Sequence, residues 1–270
     1  MHSSTELDDD VRQSLIGAAH AVADAAAQIT LANFRSAALQ TDNKQAGGFD
    51  PVTQADRAAE QAMRAVLADL RPDDAILGEE FGPKEGTSGF MWVLDPIDGT
   101  RGYISGTPTW GTLVAVNAAH GPVFGLVDQP YTGERFAGGL GISELMRGET
   151  QTPLKTKVNT TLEASILFTT FPEIGTPNEL VSFRRVAEKV RLVRYGMDCY
   201  AYALLAAGQI DLVIEAGLNA YDVAAPIAVI QAAGGTVTNW EGGPAHDGGR
   251  ILAAATPELH RTALTLLKGV

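Results

Sequence analysis

The stretch Trp92-Val93-Leu94-Asp95-Pro96-Ile97-Asp98-Gly99-Thr100 ends an apolar run in two acids, with a proline between them and a Gly-Thr step behind them. The pattern predicts a buried strand over Phe90–Leu94, a rigid turn, and then exposed backbone N–H groups. Two carboxylates at a strand end suit a hard cation, because Mg²⁺ takes oxygen ligands and usually shares them with a phosphate. N–H groups opening a turn or helix are donors for that phosphate. The chemistry implied is metal-assisted work on a phosphate group. Acids this close repel each other unless a cation or donors compensate them, so the pair resists a purely structural reading.

Three more acids sit at element ends. Glu79 follows Ile76-Leu77-Gly78, Asp222 precedes the helical run Val223–Ala233, and Asp50 precedes Pro51-Val52-Thr53. Asp222 suits a helix N-cap as well as a ligand. Asp50 suits a turn before a proline. Thr53 with Asp56 resembles a capping box carrying Asp in place of Glu, which gives Asp56 a structural role. Glu80 and Glu85 read as solvated loop charges. Cys199 has no evident basic partner and reads as a small buried residue rather than a nucleophile.

The elements that position these residues follow from periodicity. Residues 9–38 are Ala-rich with apolar positions at helical spacing, and Thr53-Gln54-Ala55-Asp56 opens a second helix to about Leu70. Residues 39–50 read as a loop. Ala75–Gly78 is a short strand, and residues 81–90, with Gly, Pro and Ser, read as a mobile surface loop. Thr112–Asn117 and Val123–Asp128 form a hairpin, and Glu134–Gly139 adds a strand. The first half is thus helices followed by an antiparallel meander. The second half alternates: strands at Ile166–Thr169, Leu192–Tyr195, Leu212–Glu215, Thr236–Asn239 and Ile251–Ala254, with helices at Asn178–Val190, Cys199–Ala207, Tyr221–Ala233 and Pro257–Leu267. Such alternation implies a layered α/β unit. A soft boundary near residues 150–160 divides the chain into halves 1–155 and 156–270.

With 270 residues and 45% hydrophobic content, one large domain or two intimate ones can form. A formal net charge of -12 speaks against nucleic acid as a main ligand. It also requires bound cations if the substrate is an anionic phosphate. Cys199 is the sole cysteine, so no internal disulfide forms, which fits a reducing cytoplasm. The acidic stretch Glu6–Asp10 is unlike a basic signal-peptide start. No uninterrupted apolar run approaches the roughly 20 residues of a membrane helix. The expectation is a cytoplasmic protein with no membrane contact.

Taken in order, Gly78-Glu79-Glu80, Trp92–Thr100, and Tyr221-Asp222-Val223-Ala224-Ala225 with Ala233-Gly234-Gly235 resemble the inositol monophosphatase family of Mg²⁺-dependent, lithium-sensitive phosphatases. The resemblance spans residues 50–235. It implies a layered α-β-α-β-α sandwich, with an antiparallel sheet in the N-terminal half and a mixed sheet in the C-terminal half. It also implies two or three Mg²⁺ ions (Mn²⁺ being possible) and a homodimer. Glu79, Asp95, Asp98 and Asp222 match metal-ligand positions, with Ile97 contributing its carbonyl. Asp50 and Thr100 match a pair that activates the attacking water, and Gly99 and Thr100 match the phosphate-binding backbone. A metal lowers the pKa of its water from about 15.7 toward neutrality, so no Cys or His nucleophile is required.

Substrate choice lies outside these motifs. Arg101–Thr112, Asp128-Gln129-Pro130 with Glu134-Arg135-Phe136, and Arg194–Tyr202 together look like the histidinol-phosphate phosphatase branch. Met197 departs from that pattern, where a second glycine is expected beside Gly196. L-histidinol phosphate carries an ammonium and an imidazole, which Asp198 and Glu215 would welcome, with Arg194 alongside. Asp198 also suits a helix N-cap, and Glu215 an ion pair with Arg194. Tyr200 and Tyr202 lie two apart on a helix, so at most one lines a pocket. Trp110 suits a core or dimer contact better than stacking on an imidazole. The alternatives are an inositol-1-monophosphatase, a 3′(2′),5′-bisphosphate nucleotidase, which would call for extra basic residues, and a protein-binding partner in a transcription complex.

Overall fold

The computed structural model describes residues 7–37, 39, 41–43 and 51–269. The chain order is helix α1 (Asp9–Asn33), the short strands β1 (Thr41–Asn43) and β2 (Pro51–Thr53), and helix α2 (Gln54–Leu70). Then come β3 (Ala75–Gly78), β4 (Gly82–Lys84), β5 (Met91–Asp98), α3 (Thr100–Ser105), β6 (Gly111–Ala118), β7 (Gly121–Gln129), β8 (Glu134–Gly139), β9 (Ile142–Arg147) and β10 (Thr150–Pro153). The second half runs β11 (Ile166–Thr169), α4 (Pro177–Ala187), β12 (Leu192–Tyr195), α5 (Cys199–Ala206), β13 (Leu212–Asn219), α6 (Ala220–Ala232), β14 (Thr236–Asn239), β15 (Gly248–Ala254) and α7 (Pro257–Lys268).

Eight strands form one sheet in the order β10-β9-β8-β7-β6-β5-β3-β4. Its pairs are antiparallel except β3 with β5. This corrects the expectation of a wholly antiparallel sheet: the chain turns from β3 into β4 at the edge, then returns to β5 on the other side of β3. Residues 81–90 therefore contain a paired strand, with Gly78 opposite Gly82. The second sheet, β12-β11-β13-β15-β14, is mixed as expected. The strand β10 escapes the hydrophobic pattern because it is the sheet's far edge: every residue of it is exposed, and polar edge residues discourage further pairing.

Alternation along the strands sets the layers. Trp92, Leu94, Val114 and Val116 point to one face, against Leu15, Ala19, Val22 and Ala26 of α1 and Met63 and Leu67 of α2. Val93, Leu113, Ala115 and Val127 point to the other face, against α5, α6 and the second sheet's Val213, Ile251 and Ala253. Beyond that sheet, Leu212, Ile214 and Leu252 meet Phe183 of α4 and Leu259 of α7. The stack is α-β-α-β-α, and strands buried on both faces read as near-continuous apolar runs. Helix α1 is long and apolar enough to cross a membrane by length and composition. Its apolar face is occupied by this core, and Arg12, His20 and Asp24 interrupt it.

Helix α6 reaches the first sheet through a glycine platform. Gly125 and Gly138 face each other on β7 and β8. A Cβ at Gly125 would lie 2.5 Å from the Ala225 carbonyl oxygen, and one at Gly138 2.4 Å from the Val229 Cα. Only a side chain of zero volume lets α6 sit this low. Gly125→Ala should therefore lower the unfolding free energy by about 1–3 kcal/mol, the usual cost of overpacking. Urea titration measures it; an unchanged midpoint would mean that α6 is not seated there.

Candidate active site

Strand β5 does not stop at Leu94 but continues through Asp98, with a register shift in which Asp95 faces Leu113 and Asp98 faces Gly111. In a regular strand, residues three apart point to opposite faces. The one extra residue of the bulge restores parity and turns both acids toward the same side. Pro96 suits a bulge because it has no N–H to pair. The bulge is pinned locally: the Ile97 N–H donates to Asp95 Oδ1 at 3.0 Å, and the Thr112 hydroxyl donates to the Pro96 carbonyl at 2.8 Å. Gly99 follows with φ of 80°, a left-handed turn that glycine adopts without strain, and opens α3.

Asp222 joins the pair from α6. It is the N3 residue of that helix rather than its N-cap; Asn219 holds the N-cap, and its N–H donates to Asp222 Oδ2 at 2.6 Å. One carboxylate oxygen from each of Asp95, Asp98 and Asp222 falls within 4.8 Å of the others. The Glu79 carboxyl lies within hydrogen-bond reach of Asp95. Burial pushes Asp95 well above the usual carboxylate range, and the charges of Glu79, Asp98 and Asp222 push it further. Asp98 is raised by burial and then by Asp198 and Asp222, against the Cys199 N–H that donates to it at 2.7 Å. An all-oxygen set, with Asp95 buried and Asp98 and Asp222 half-buried, fits a hard divalent cation, whose charge removes the repulsion.

Beside the cluster is a pocket of about 370 Å³ lined by Glu79, Asp98, Gly99, Thr100, Asp198, Glu215 and Asp222, among others. The Thr100 hydroxyl donates to the Ile97 carbonyl at 3.1 Å. Asp198 occupies the N-cap position of α5 but makes no capping hydrogen bond. Its carboxyl turns instead to α3, where a Cβ on Gly99 would lie 2.8 Å from it, and it faces the Thr109 hydroxyl at 3.4 Å. It does so at φ 47° and ψ -140°, a region of backbone strain for a non-glycine residue. Burial raises its pKa to about 6, against the Thr109 hydroxyl and the Arg101 charge.

Glu215 is buried, and burial lifts its pKa to about 7. Oε1 accepts from the Thr170 N–H at 2.6 Å and the Thr170 hydroxyl at 2.9 Å, while Oε2 accepts from Thr169 at 3.1 Å. The expected partner Arg194 is absent from this set and from the pocket lining. It is exposed on the edge strand β12, and β11, which ends at Thr169 just before Thr170, lies between it and β13. Tyr202 lines the pocket, whereas the Tyr200 hydroxyl turns away to Glu134 at 2.6 Å. Trp110 is core, packed edge-on to Tyr103. Asp56 forms the expected capping box with Thr53; its pKa is raised to about 6 by burial, with the Glu79 charge contributing. Asp50 lies outside the described residues. Sequence reading missed Phe171, over whose ring the Arg101 guanidinium stacks at 4.9 Å on the pocket wall. Phe171 sits in a loop that no pattern marks.

Fold and site together define the class: a metal-dependent phosphatase. The model of the inositol monophosphatase family matches residues 11–269, and the chain belongs to that family. It is 38% identical to the bifunctional phosphatase IMPL2, chloroplastic, of Arabidopsis thaliana, over 98% of this chain and 78% of the relative. It is 34% identical to a histidinol-phosphatase of Streptomyces coelicolor, over 92% and 95% of the two chains. Among solved structures, an inositol monophosphatase from Zymomonas mobilis superposes with a TM-score of 0.81 at 36% identity, over 99% of this chain and 100% of that one.

A raised carboxyl pKa means that the folded state holds a proton the unfolded chain has released. Stability is then lost as pH rises from the unfolded to the folded value. For Glu215 that window runs from 4.5 to about 7. In metal-free protein, the Tm of Glu215→Gln relative to wild type should therefore climb across this window and level off above it. A pH-independent difference would show that burial does not raise Glu215.

Proposed function

We propose that this chain hydrolyses the phosphate monoester of L-histidinol phosphate, with Mg²⁺ as its working ion. The observation that carries the substrate is the pair of acids, Asp198 and Glu215, that the pocket keeps beyond the metal cluster. A substrate whose organic half bears an ammonium and an imidazole meets both. Three donors already engage Glu215, two on Oε1 and one on Oε2, which leaves an Oε2 lone pair for a substrate N–H. The strain at Asp198 fits a side chain held in place for a ligand. The likeness to a named histidinol-phosphatase agrees.

Glu79, Asp95, Asp98 and Asp222, with the Ile97 carbonyl, would hold two or three ions; Mn²⁺ also suits oxygen ligands. Bound there, they supply a water acidified toward neutrality and the positive charge that offsets the phosphate. The protein's own part is positioning. The first N–H groups of α3, from Gly99 and Thr100, have no partner inside the helix and bind phosphate oxygens. The Thr100 hydroxyl, with Asp50, orients the attacking water. Phe171 and Arg101 wall the pocket. We take the enzyme to be a cytoplasmic homodimer that binds neither nucleic acid nor membrane.

The second reading, an inositol monophosphatase, is favoured by the likeness to the Zymomonas mobilis protein. Glu215 would accept a ring hydroxyl equally well, so Asp198 is the discriminating residue. A bisphosphate nucleotidase is disfavoured: among the described residues, Arg101 is the one cationic side chain lining the pocket.

Phosphate release with Mg²⁺ from histidinol phosphate, inositol 1-phosphate and adenosine 3′,5′-bisphosphate tests the reading. The kcat/KM for histidinol phosphate should exceed the others. Asp198→Asn should lower it about tenfold or more, the worth of a hydrogen bond to a charged group, and leave slow turnover of the inositol ester unmoved. Equal preference for inositol 1-phosphate would discard the role of Asp198. Asp95→Asn should abolish turnover of every ester in a folded protein.

A further inference from the structure

We propose that Glu60 and Arg64 form a positioning clamp that sets Glu79 for its metal. The inference rests on Glu79 being a ligand, as proposed above. Glu60 lies on α2, and its side chain has 0% exposure. Its Oε2 accepts the Glu80 N–H at 2.7 Å, and its Oε1 accepts the Phe81 N–H at 3.3 Å. Oε1 also accepts Arg64 Nε at 2.7 Å, and Arg64 Nη2 donates to the Gly82 carbonyl. The pair therefore takes both donors and the acceptor of the turn that joins β3 to β4.

Glu79 sits between two anchors. Its own N–H donates to the Leu94 carbonyl of β5 at 3.2 Å, and the next two amides are held by Glu60. The turn cannot slide along either strand without breaking one set. Gly78 shows how close the clamp lies: a Cβ there would sit 2.0 Å from Glu60 Oε1 and 2.8 Å from Arg64 Nη2. The pairing of charges also matters. A lone carboxylate beneath Glu79 would add to the repulsion among the four acids, whereas a Glu–Arg pair holds the backbone with no net charge. Groups of this kind, which orient a ligand without touching the ion, tune metal affinity.

Mn²⁺ binding followed by electron paramagnetic resonance tests the clamp without reference to any ester, so a wrong substrate assignment leaves the test intact. Glu79→Gln is the reference variant and should lose Mn²⁺ affinity; if it binds as wild type does, Glu79 is not a ligand, and the clamp falls with it. Glu60→Gln keeps the shape but turns an amide donor toward the existing donors. Its Mn²⁺ Kd should rise about tenfold or more, while KM for the hydrolysed ester at saturating metal stays near wild type. A folded Glu60→Gln protein with wild-type Mn²⁺ affinity overturns the proposal, whatever its Tm. Should Glu60→Gln not fold, Arg64→Gln is read in the same way, with Arg64→Lys expected to recover part of the affinity. Wild-type affinity in Arg64→Gln overturns the clamp equally.

Discussion

Mutual repulsion among carboxylates, one buried and the others half-buried, is the constraint around which this molecule is built. Asp95, Asp98 and Asp222 converge within 4.8 Å, with Glu79 against Asp95 and Asp198 near enough to Asp98 to raise its pKa. Water would disperse such charge; the interior does not. The fold tolerates the cluster because local donors partly answer it: the Ile97, Cys199 and Asn219 amides each give one hydrogen bond. A divalent cation answers the rest. The same logic makes the acidic balance of the chain compatible with a phosphate substrate.

Convergence requires elements that are distant in the chain to meet at close range. The bulge in β5 turns two acids to one side. The glycine platform on β7 and β8 lowers α6 until its first turn reaches them. The Cys199 N–H, at the start of α5, ties the second half to Asp98. The core that joins the halves is continuous, since Val93 and Val127 of the first sheet share it with Val213 and Ala253 of the second. Chemistry and packing are therefore coupled: the packing that sets α6 against the sheet also sets Asp222 against Asp95.

The pocket brings Glu79, Asp98 and Asp222 together with Asp198 and Glu215. Asp95 and Asp98 are each raised by burial and by the neighbouring carboxylates, a repulsion that a bound cation would relieve. Glu215 accepts from Thr169 at the end of β11 and from Thr170 just beyond it, with a single donor on Oε2. Arg101, stacked on Phe171, brings one positive charge to the pocket wall.

Much of this was legible in the residues. Strand positions such as Ile166–Thr169 follow from a short apolar run, Thr236–Asn239 from β-branched residues after Gly234-Gly235, and the Thr53–Asp56 capping box from its spacing, because all depend on neighbours in sequence. The acids Glu79, Asp95 and Asp98 stood out because they follow apolar strands, and Asp222 because it precedes an apolar helical run. Other features were decided by contacts between distant segments. Arg194 falls outside the pocket because β11 comes between β12 and β13, and strand order is not written in any local pattern. The edge strand β10 shows no apolar alternation because every one of its residues is exposed. Asp198 resembled a helix cap until the approach of α3 drew its carboxyl away. The hold of Glu60 and Arg64 on the turn after β3 exists only because that turn folds back onto α2. The sequence by itself determined which residues could carry metal and phosphate chemistry, since residue type and local spacing govern that. Tertiary structure alone decided which of them share one pocket, because that depends on bulge parity, sheet order and the depth at which α6 packs.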